Sequence, residues 1–307
     1  MRCLVTGGCG FIGSHFVRLL VARGDDVVVL DKFTYAGARA NLEGIECAIL
    51  EGDVADPTAV SQAGAGCEAV VHFAAETHVD RSIREAEEFV HTNVVGTSVV
   101  LDWARQAGVR FLQVSTDEVY GEVPPSEARS ESDCLQPSSP YAATKASGDL
   151  CVSASVRTHR VDACITRGAN TYGPRQHPEK FLPLIITRAL AGERLPVYGD
   201  GRQRRQWIHV SDHCAAIDLV LRRGKCGAVY NVGGEEHENL DIVHRVLALT
   251  GASADLVEHV TDRPGHDRRY AVDDSKIRSL GWQPALSLDD SLPETVAWYD
   301  QLGHATP

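Results

Sequence analysis

"RCLVTGGCGFIGSHFVRLLVARG", residues 2–24, reads as a strand, a turn and a helix in one run. The short apolar opening suits a buried strand. Phe11, Phe16, Leu19 and Leu20 then recur at helical spacing. Between them Gly7, Gly10 and Gly13 fall three residues apart. Without side chains these positions permit a tight turn and let a pyrophosphate approach the backbone, beside a helix N-terminus whose free amides favour an anion. A second strand, "DDVVVLD" (25–31), ends on Asp31, about twenty residues further on. A carboxylate there accepts both ribose hydroxyls of an adenosine and repels a 2′-phosphate. That favours NAD over NADP, with the neighbouring Lys32 pulling the other way.

The alternation continues outward. "CAILEGDV" (47–54), "AVVHFAAE" (69–76) and "RFLQVST" (110–116) are apolar, unalternating strands, each preceded by a helical stretch. Such a pattern predicts an α/β chain, a Rossmann-type doubly wound parallel sheet covered on both faces. Ligands gather at the carboxyl ends of strands in sheets of this kind. Asp53, Ala74, Ala75, Ser115 and Thr116 all stand at such ends; the small pair at 74–75 lets a flat cofactor lie close, and Asp53 can reach an adenine amino group. From about residue 170 the alternation weakens. We therefore expect a dinucleotide-binding domain over 1–170, a mainly substrate-binding lobe over 171–307, and a return of about 205–232 to the first domain.

Composition excludes other classes. The 307 residues are 43% hydrophobic and 23% charged with a net charge of −12, an ordinary globular balance that disfavours nucleic acid and anionic membrane as partners. No apolar run approaches the roughly 18–20 residues that span a bilayer, and the opening turns to glycine too early for a secretory leader. Nine scattered cysteines form no Cys-x-x-Cys pair and no zinc spacing. The expectation is a cytoplasmic protein with reduced thiols and no metal site. The tail "QLGHATP" (301–307) reads as a frayed end.

Two stretches carry chemistry. "VSTDEVYG" (114–121) sets Asp117 and Glu118 side by side after an apolar strand, where a buried site would need a reason for them. After the loop "PPSEARSESDCLQPSSP" (124–140), "YAATKASGDLCVSASV" (141–156) reads as a helix with Tyr141 and Lys145 on one face. A nearby ammonium lowers a tyrosine pKa and makes a general base for an alcohol.

These residues resemble the short-chain dehydrogenase/reductase superfamily in the extended form that acts on nucleotide sugars. The closer resemblance, over nearly the whole chain, is to the dTDP-glucose 4,6-dehydratases. It is carried by "TGGCGFIG", "LDKFTYAG", "HFAAETHVDRSI", "STDEVYG", "SPYAATKA", "NTYGPRQHPEKFLP", "LPVYGDG" and "DRPGHDRRYAVD". It implies bound NAD, contacted by Gly7, Gly10, Phe11, Ile12, Gly13, Asp31, Lys32, Thr34, Asp53, Val54, Phe73, Ala74, Ala75, Thr77, Thr92, Ser115, Tyr141, Lys145 and Thr171. It implies Tyr141, Thr116 and Lys145 as the hydroxyl-oxidising set, Glu118 as base at C5 and Asp117 as acid at the 6-hydroxyl. A sugar nucleotide would meet Thr77, Asn170, Lys180, Phe181, Pro196, Tyr198, Arg205, Asn239, Arg263 and His266, with Asp80 and Arg81 close by. Two arginines suit a diphosphate, since each fork donates bidentately.

The chain departs from that pattern at Thr171 (usually Asn), Gln206 (usually Asp) and His209 (often Tyr). The stretch "VHTNVVGTSVVLDWARQAG" (90–108) and the helix from Tyr141 carry more apolar residues than one core face needs, and the resemblance implies that they pair in a homodimer. Rival activities are nucleotide-sugar 4-epimerisation and 4,6-dehydration of a different nucleotide sugar.

Overall fold

Strand β1 (Arg2–Thr6) turns Cys3 and Val5 to one face and Leu4 to the other, and all three are fully buried. A strand with core on both faces has to lie inside a sheet covered on each side. The computed structural model describes residues 1–304 and places β1 in that setting. The further strands are β2 (Asp26–Asp31), β3 (Ala48–Glu51), β4 (Ala69–His72), β5 (Arg110–Thr116), β6 (Ala163–Gly168), β7 (Asn170–Tyr172), β8 (Leu195–Tyr198), β9 (Arg204–His209), β10 (Val229–Val232), β11 (Glu235–Glu238) and β12 (Val257–Val260). Seven of these form one sheet in the order β3-β2-β1-β4-β5-β6-β10, with every neighbouring pair parallel. This is the doubly wound order, and its direction reverses between β1 and β4. A crevice opens there at the carboxyl ends.

Helices Phe11–Ala22 and Val210–Arg223 pack together on one face, around Val5, Phe16, Leu20, Val29 and Ile217. Ile277 and Trp282 join the same core. Helices Pro57–Ala63, Thr97–Ala107 and Pro140–His159 cover the other face, around Leu4, Leu30, Val70 and Phe111. A separate core of Leu182, Ile185, Ile186, Val243, Val246 and Leu292 holds the smaller lobe, where β9 pairs antiparallel with β11 and parallel with β7, and β8 pairs with β12. The stretch 90–108 contains one π-helical turn, His91–Gly96, between helices Ala86–Val90 and Thr97–Ala107. Such turns collect at functional sites. The tail, read as frayed, instead continues a helix, Leu288–His304; residues 305–307 lie outside the described residues.

Glycine is required at two positions of the first turn. Gly7 has φ +66°, and a Cβ there would stand 2.7 Å from the Ala74 amide nitrogen. A Cβ on Gly13 would overlap the Gly7 carbonyl oxygen. Gly13→Ala is expected to force the helix away from the turn, costing about 1–3 kcal/mol of stability and the dinucleotide affinity. Thermal unfolding with and without NADH checks both. A variant that melts and shifts with NADH like wild type would show that the turn tolerates the displacement.

Candidate active site

One cavity of about 550 Å³ begins at the glycine turn, passes the ends of β4, β5 and β6, and finishes in the smaller lobe. Every residue that the sequence reading assigns to cofactor, catalysis or substrate lines it, apart from Arg81. At the cofactor end, Gly7, Gly10, Phe11, Ile12 and Gly13 form the wall, and no side chain caps the Phe11–Ala22 helix. Its first amides are therefore available to an anion. Asp31 accepts the Cys9 amide at 2.8 Å on one oxygen and the Phe33 amide at 2.9 Å on the other. Each oxygen keeps a second lone pair. Lys32, a cation that would welcome a 2′-phosphate, is paired with Asp53 at 2.8 Å. Thr34, Val54, Phe73, Ala74, Ala75, Thr92 and Ser115 continue the wall. The uncapped helix, the glycine cradle and the free lone pairs on Asp31 fit a dinucleotide without a 2′-phosphate.

The reactive groups meet where β5 ends. Thr116 caps a 3₁₀ turn, Asp117–Tyr120, by accepting the Glu118 amide at 3.3 Å, and its hydroxyl donates to Asp117 Oδ1 at 3.2 Å. This turn buries the Asp117 carboxyl and leaves Glu118 half-buried with one oxygen enclosed. Asp117 is 2% exposed, and its Oδ2 and Glu118 Oε2 are buried without a hydrogen-bond partner. Burial first, then the Glu118 charge, pushes the Asp117 carboxyl up to about 7. Burial also raises Glu118, while Arg263, Arg205 and Lys180 hold it down.

Ser139 caps the Pro140–His159 helix by accepting the Ala142 amide, and Pro140 occupies its first position, which sets Tyr141 in the first turn. The Tyr141 amide donates to Ser82 Oγ at 3.1 Å. Contrary to the sequence expectation, this phenol lies well above its ordinary value: burial comes first, and Glu118 and Asp117 push the same way. Lys145, itself pushed down to about 8 by burial, donates to the Val114 carbonyl at 2.8 Å.

At the far end Lys180 donates to the Thr77 carbonyl at 2.7 Å. Arg205 is buried, stacks 4.2 Å from the Tyr270 ring centre and donates only to the backbone carbonyls of Arg204, Asp267 and Arg268. Among the described residues no carboxylate pairs with it. Arg263 faces Asp80 at 3.7 Å, and its Nε is buried and unpartnered. Asp80 also accepts the Tyr198 hydroxyl at 3.0 Å, and His266 meets Asp262 at 2.6 Å. Asn170, Phe181, Pro196 and Asn239 complete this end. Arg81 points elsewhere, pairing with Glu179 at 2.8 Å over the Tyr35 ring.

The three departures have local explanations. Thr171 meets His213 Nδ1 at 2.7 Å, Gln206 binds both amide and carbonyl of Val272, and His209 caps the Val210–Arg223 helix. Sequence reading did not single out Glu76, Gln176, His177, Trp207, His213 or Tyr270, which also line the cavity. Glu76, Gln176, His177 and Tyr270 lie inside segments already quoted. Following those motifs to their last residue would have found them. Asn93, behind the wall, was also not singled out: it bonds both amide and carbonyl of Glu76 and reaches Thr144, tying the strand-end loop to the tyrosine helix.

The chain belongs to the NAD dependent epimerase/dehydratase family, whose pattern matches residues 3–233. Within that class it is 50% identical to the dTDP-glucose 4,6-dehydratase of Streptomyces niveus, over 97% of this chain and 93% of that one. It is 52% identical to the low-salt glycan biosynthesis protein Agl12 of Haloferax volcanii, over 97% and 98%. The crystal structure of DesIV, the dTDP-glucose 4,6-dehydratase of Streptomyces venezuelae with NAD bound, matches with a TM-score of 0.96 at 49% identity, covering 98% of this chain and 97% of that one.

Asp117 keeps its proton to higher pH in the folded chain than in the unfolded one, where the carboxyl titrates near 3.8. Folded stability therefore falls as pH rises from about 4 to about 7. Asp117→Asn removes that loss, so its melting temperature should exceed wild type at pH 8 and converge on it toward pH 4, with a ceiling of about 4 kcal/mol. Melting curves across that range measure the gap. A constant gap would mean that the carboxyl is not held protonated.

Proposed function

We infer that the chain converts dTDP-glucose to dTDP-4-keto-6-deoxyglucose by NAD-dependent, redox-neutral loss of water. The observation that carries this reading is the pair of carboxyls, buried Asp117 and half-buried Glu118, in one cavity with Thr116, Tyr141 and Lys145. NAD, which the glycine turn and Asp31 would hold, would supply hydride acceptance at C4, hydride return at C6 and, while oxidised, positive charge to the site. Tyr141, hydrogen-bonded by Thr116, receives the 4-hydroxyl proton, and Lys145 adds its own charge nearby. With a ketone at C4, the C5–H is acidic. Glu118 takes that proton, and protonated Asp117 gives its own to the departing 6-hydroxyl, which leaves as water. The Glu118 proton then goes back to C5. Burial keeps Asp117 protonated near neutral pH, as an acid in that role must be.

A 4-epimerase needs the tyrosine and lysine but has no use for a base at C5 or an acid at the 6-hydroxyl. The second lobe supports a diphosphate, with Arg205 and Arg263 as forks and Lys180 between them and Thr77. In this assignment 1–170 with about 205–232 forms the NAD lobe and 171–307 mainly the substrate lobe.

Two further assignments complete the reading. Helices Thr97–Ala107 and Pro140–His159 pack together, and Val90 and Val95 in the turns leading into the first and Leu150 on the second are exposed, Leu150 by 60%. A second copy pairing through the same helices would cover them. Nine unpaired cysteines, and no described helix long and apolar enough to cross a membrane, support a reducing cytoplasm.

Wild type incubated with dTDP-glucose should yield a product lighter by one water, and Glu118→Gln should lower kcat by about 100-fold or more while sparing NADH binding. Mass spectrometry of the product and NADH fluorescence titration give both readings. A galactose epimer of unchanged mass would replace this proposal with the 4-epimerase. Leu150→Glu should halve the mass measured by light scattering, and wild type eluting as a monomer would remove the dimer.

A further inference from the structure

Arg167 on β6 does not line the cavity, yet it touches both catalytic segments from behind. Its side chain is 5% exposed. The Nε donates to Asp149 Oδ2 at 2.8 Å, and one terminal nitrogen donates to the Tyr120 hydroxyl at 2.7 Å. Asp149 lies on the Pro140–His159 helix one turn after Lys145 and two after Tyr141, so its position fixes that face of the helix. Tyr120 closes the 3₁₀ turn that Asp117 and Glu118 open. The Tyr120 hydroxyl donates onward to Asn231 Oδ1 at 2.8 Å on β10, and Asn231 donates to the Arg129 and Asp273 carbonyls at 2.9 and 3.2 Å. The guanidinium therefore joins two segments that the chain brings together only through the sheet.

Core packing does not call for an ion pair at this depth, because buried pairs add little net stability over apolar residues of the same size. The fork geometry of arginine offers what lysine or an apolar side chain lacks: two directed donors at a fixed angle. We propose that Arg167 is a positioning residue that clasps the Tyr141–Lys145 helix to the Asp117–Glu118 turn, so that oxidation at C4 and loss of water across C5–C6 operate on one substrate pose. The proposal rests on the dehydratase reading. That reaction needs both groups in register, because the tyrosine serves C4 and the two carboxyls serve C5 and C6 of the same ring.

Two variants separate the two arms of the clasp. Tyr120→Phe removes the hydroxyl, freeing the turn and leaving the Arg167–Asp149 pair and the helix intact. Asp149→Asn alone would strand a buried charge and endanger folding, so the helix arm is cut by the charge-neutral double change Arg167→Met with Asp149→Leu. Each is mixed with dTDP-glucose in a single turnover, and the absorbance of reduced nicotinamide is followed beside product mass. Wild type should show reduced cofactor forming and then disappearing. Tyr120→Phe should form it within about twofold of the wild-type rate and consume it about tenfold more slowly, so that reduced cofactor accumulates and exchange of the C5 hydrogen with deuterated solvent slows. The double variant should slow formation as well. Tyr120→Phe with both phases at wild-type rates, or with both slowed equally, would overturn the clasp, the second because a merely structural bond loosens everything alike. If wild type itself releases no dehydrated product, the dehydratase reading fails instead.

Discussion

Asp117 and Glu118 lie out of water beside Arg205, Arg263 and Lys180, and the rest of the molecule is arranged around keeping that group of charges together. Charges taken from solvent are costly unless opposite charge or a lost proton offsets them. Here both occur: burial raises Glu118 and the three cations partly offset that rise, while Asp117 keeps a proton to about 7. The acidic pair comes from the end of β5; the cations come from later segments, Lys180 just before the Phe181–Ala191 helix, Arg205 on β9 and Arg263 after β12. The 3₁₀ turn after β5 is what holds the carboxyls inward, and its cap is the hydroxyl of Thr116.

Much of this could be read before any coordinates. The glycine spacing, the strand-end Asp31 and the strand–helix alternation are local signals, because each follows from what one residue's backbone or charge permits. The fork pair at 205 and 263 and the Tyr141–Lys145 spacing are also visible along the chain. The remainder is tertiary. Arg167 sits in "RGANTYGP" as an ordinary charged residue, and only the sheet order that brings β6 beside β5 shows it behind both catalytic segments. The π-helical turn at His91–Gly96 leaves no compositional trace, since it differs from an α-helix by a hydrogen-bond shift of one residue.

The Tyr141 phenol is the instructive error. Spacing correctly put Lys145 on its helix face, and the inference that the ammonium would lower the phenol was sound for a solvated pair. Burial reverses the balance. Desolvation disfavours the phenolate whatever stands one turn away, and the two carboxyls that serve the later step add to the cost. The same enclosure that suits Asp117 as an acid thus opposes Tyr141 as a base, so the site depends on bound positive charge to reconcile them.

A chain of net charge −12 that receives a sugar diphosphate must admit a dianion through a repulsive far field. The attractive guanidiniums are few and enclosed, and they act only within a few ångströms, while the surface charge acts over the Debye length of about 10 Å at 0.1 M salt. Salt screens the outer field first. Moderate ionic strength should therefore speed encounter while leaving the enclosed contacts nearly untouched, the reverse of the steering seen when enzyme and ligand carry opposite sign. For a protein built this way, moderate salt is a working condition rather than a handicap.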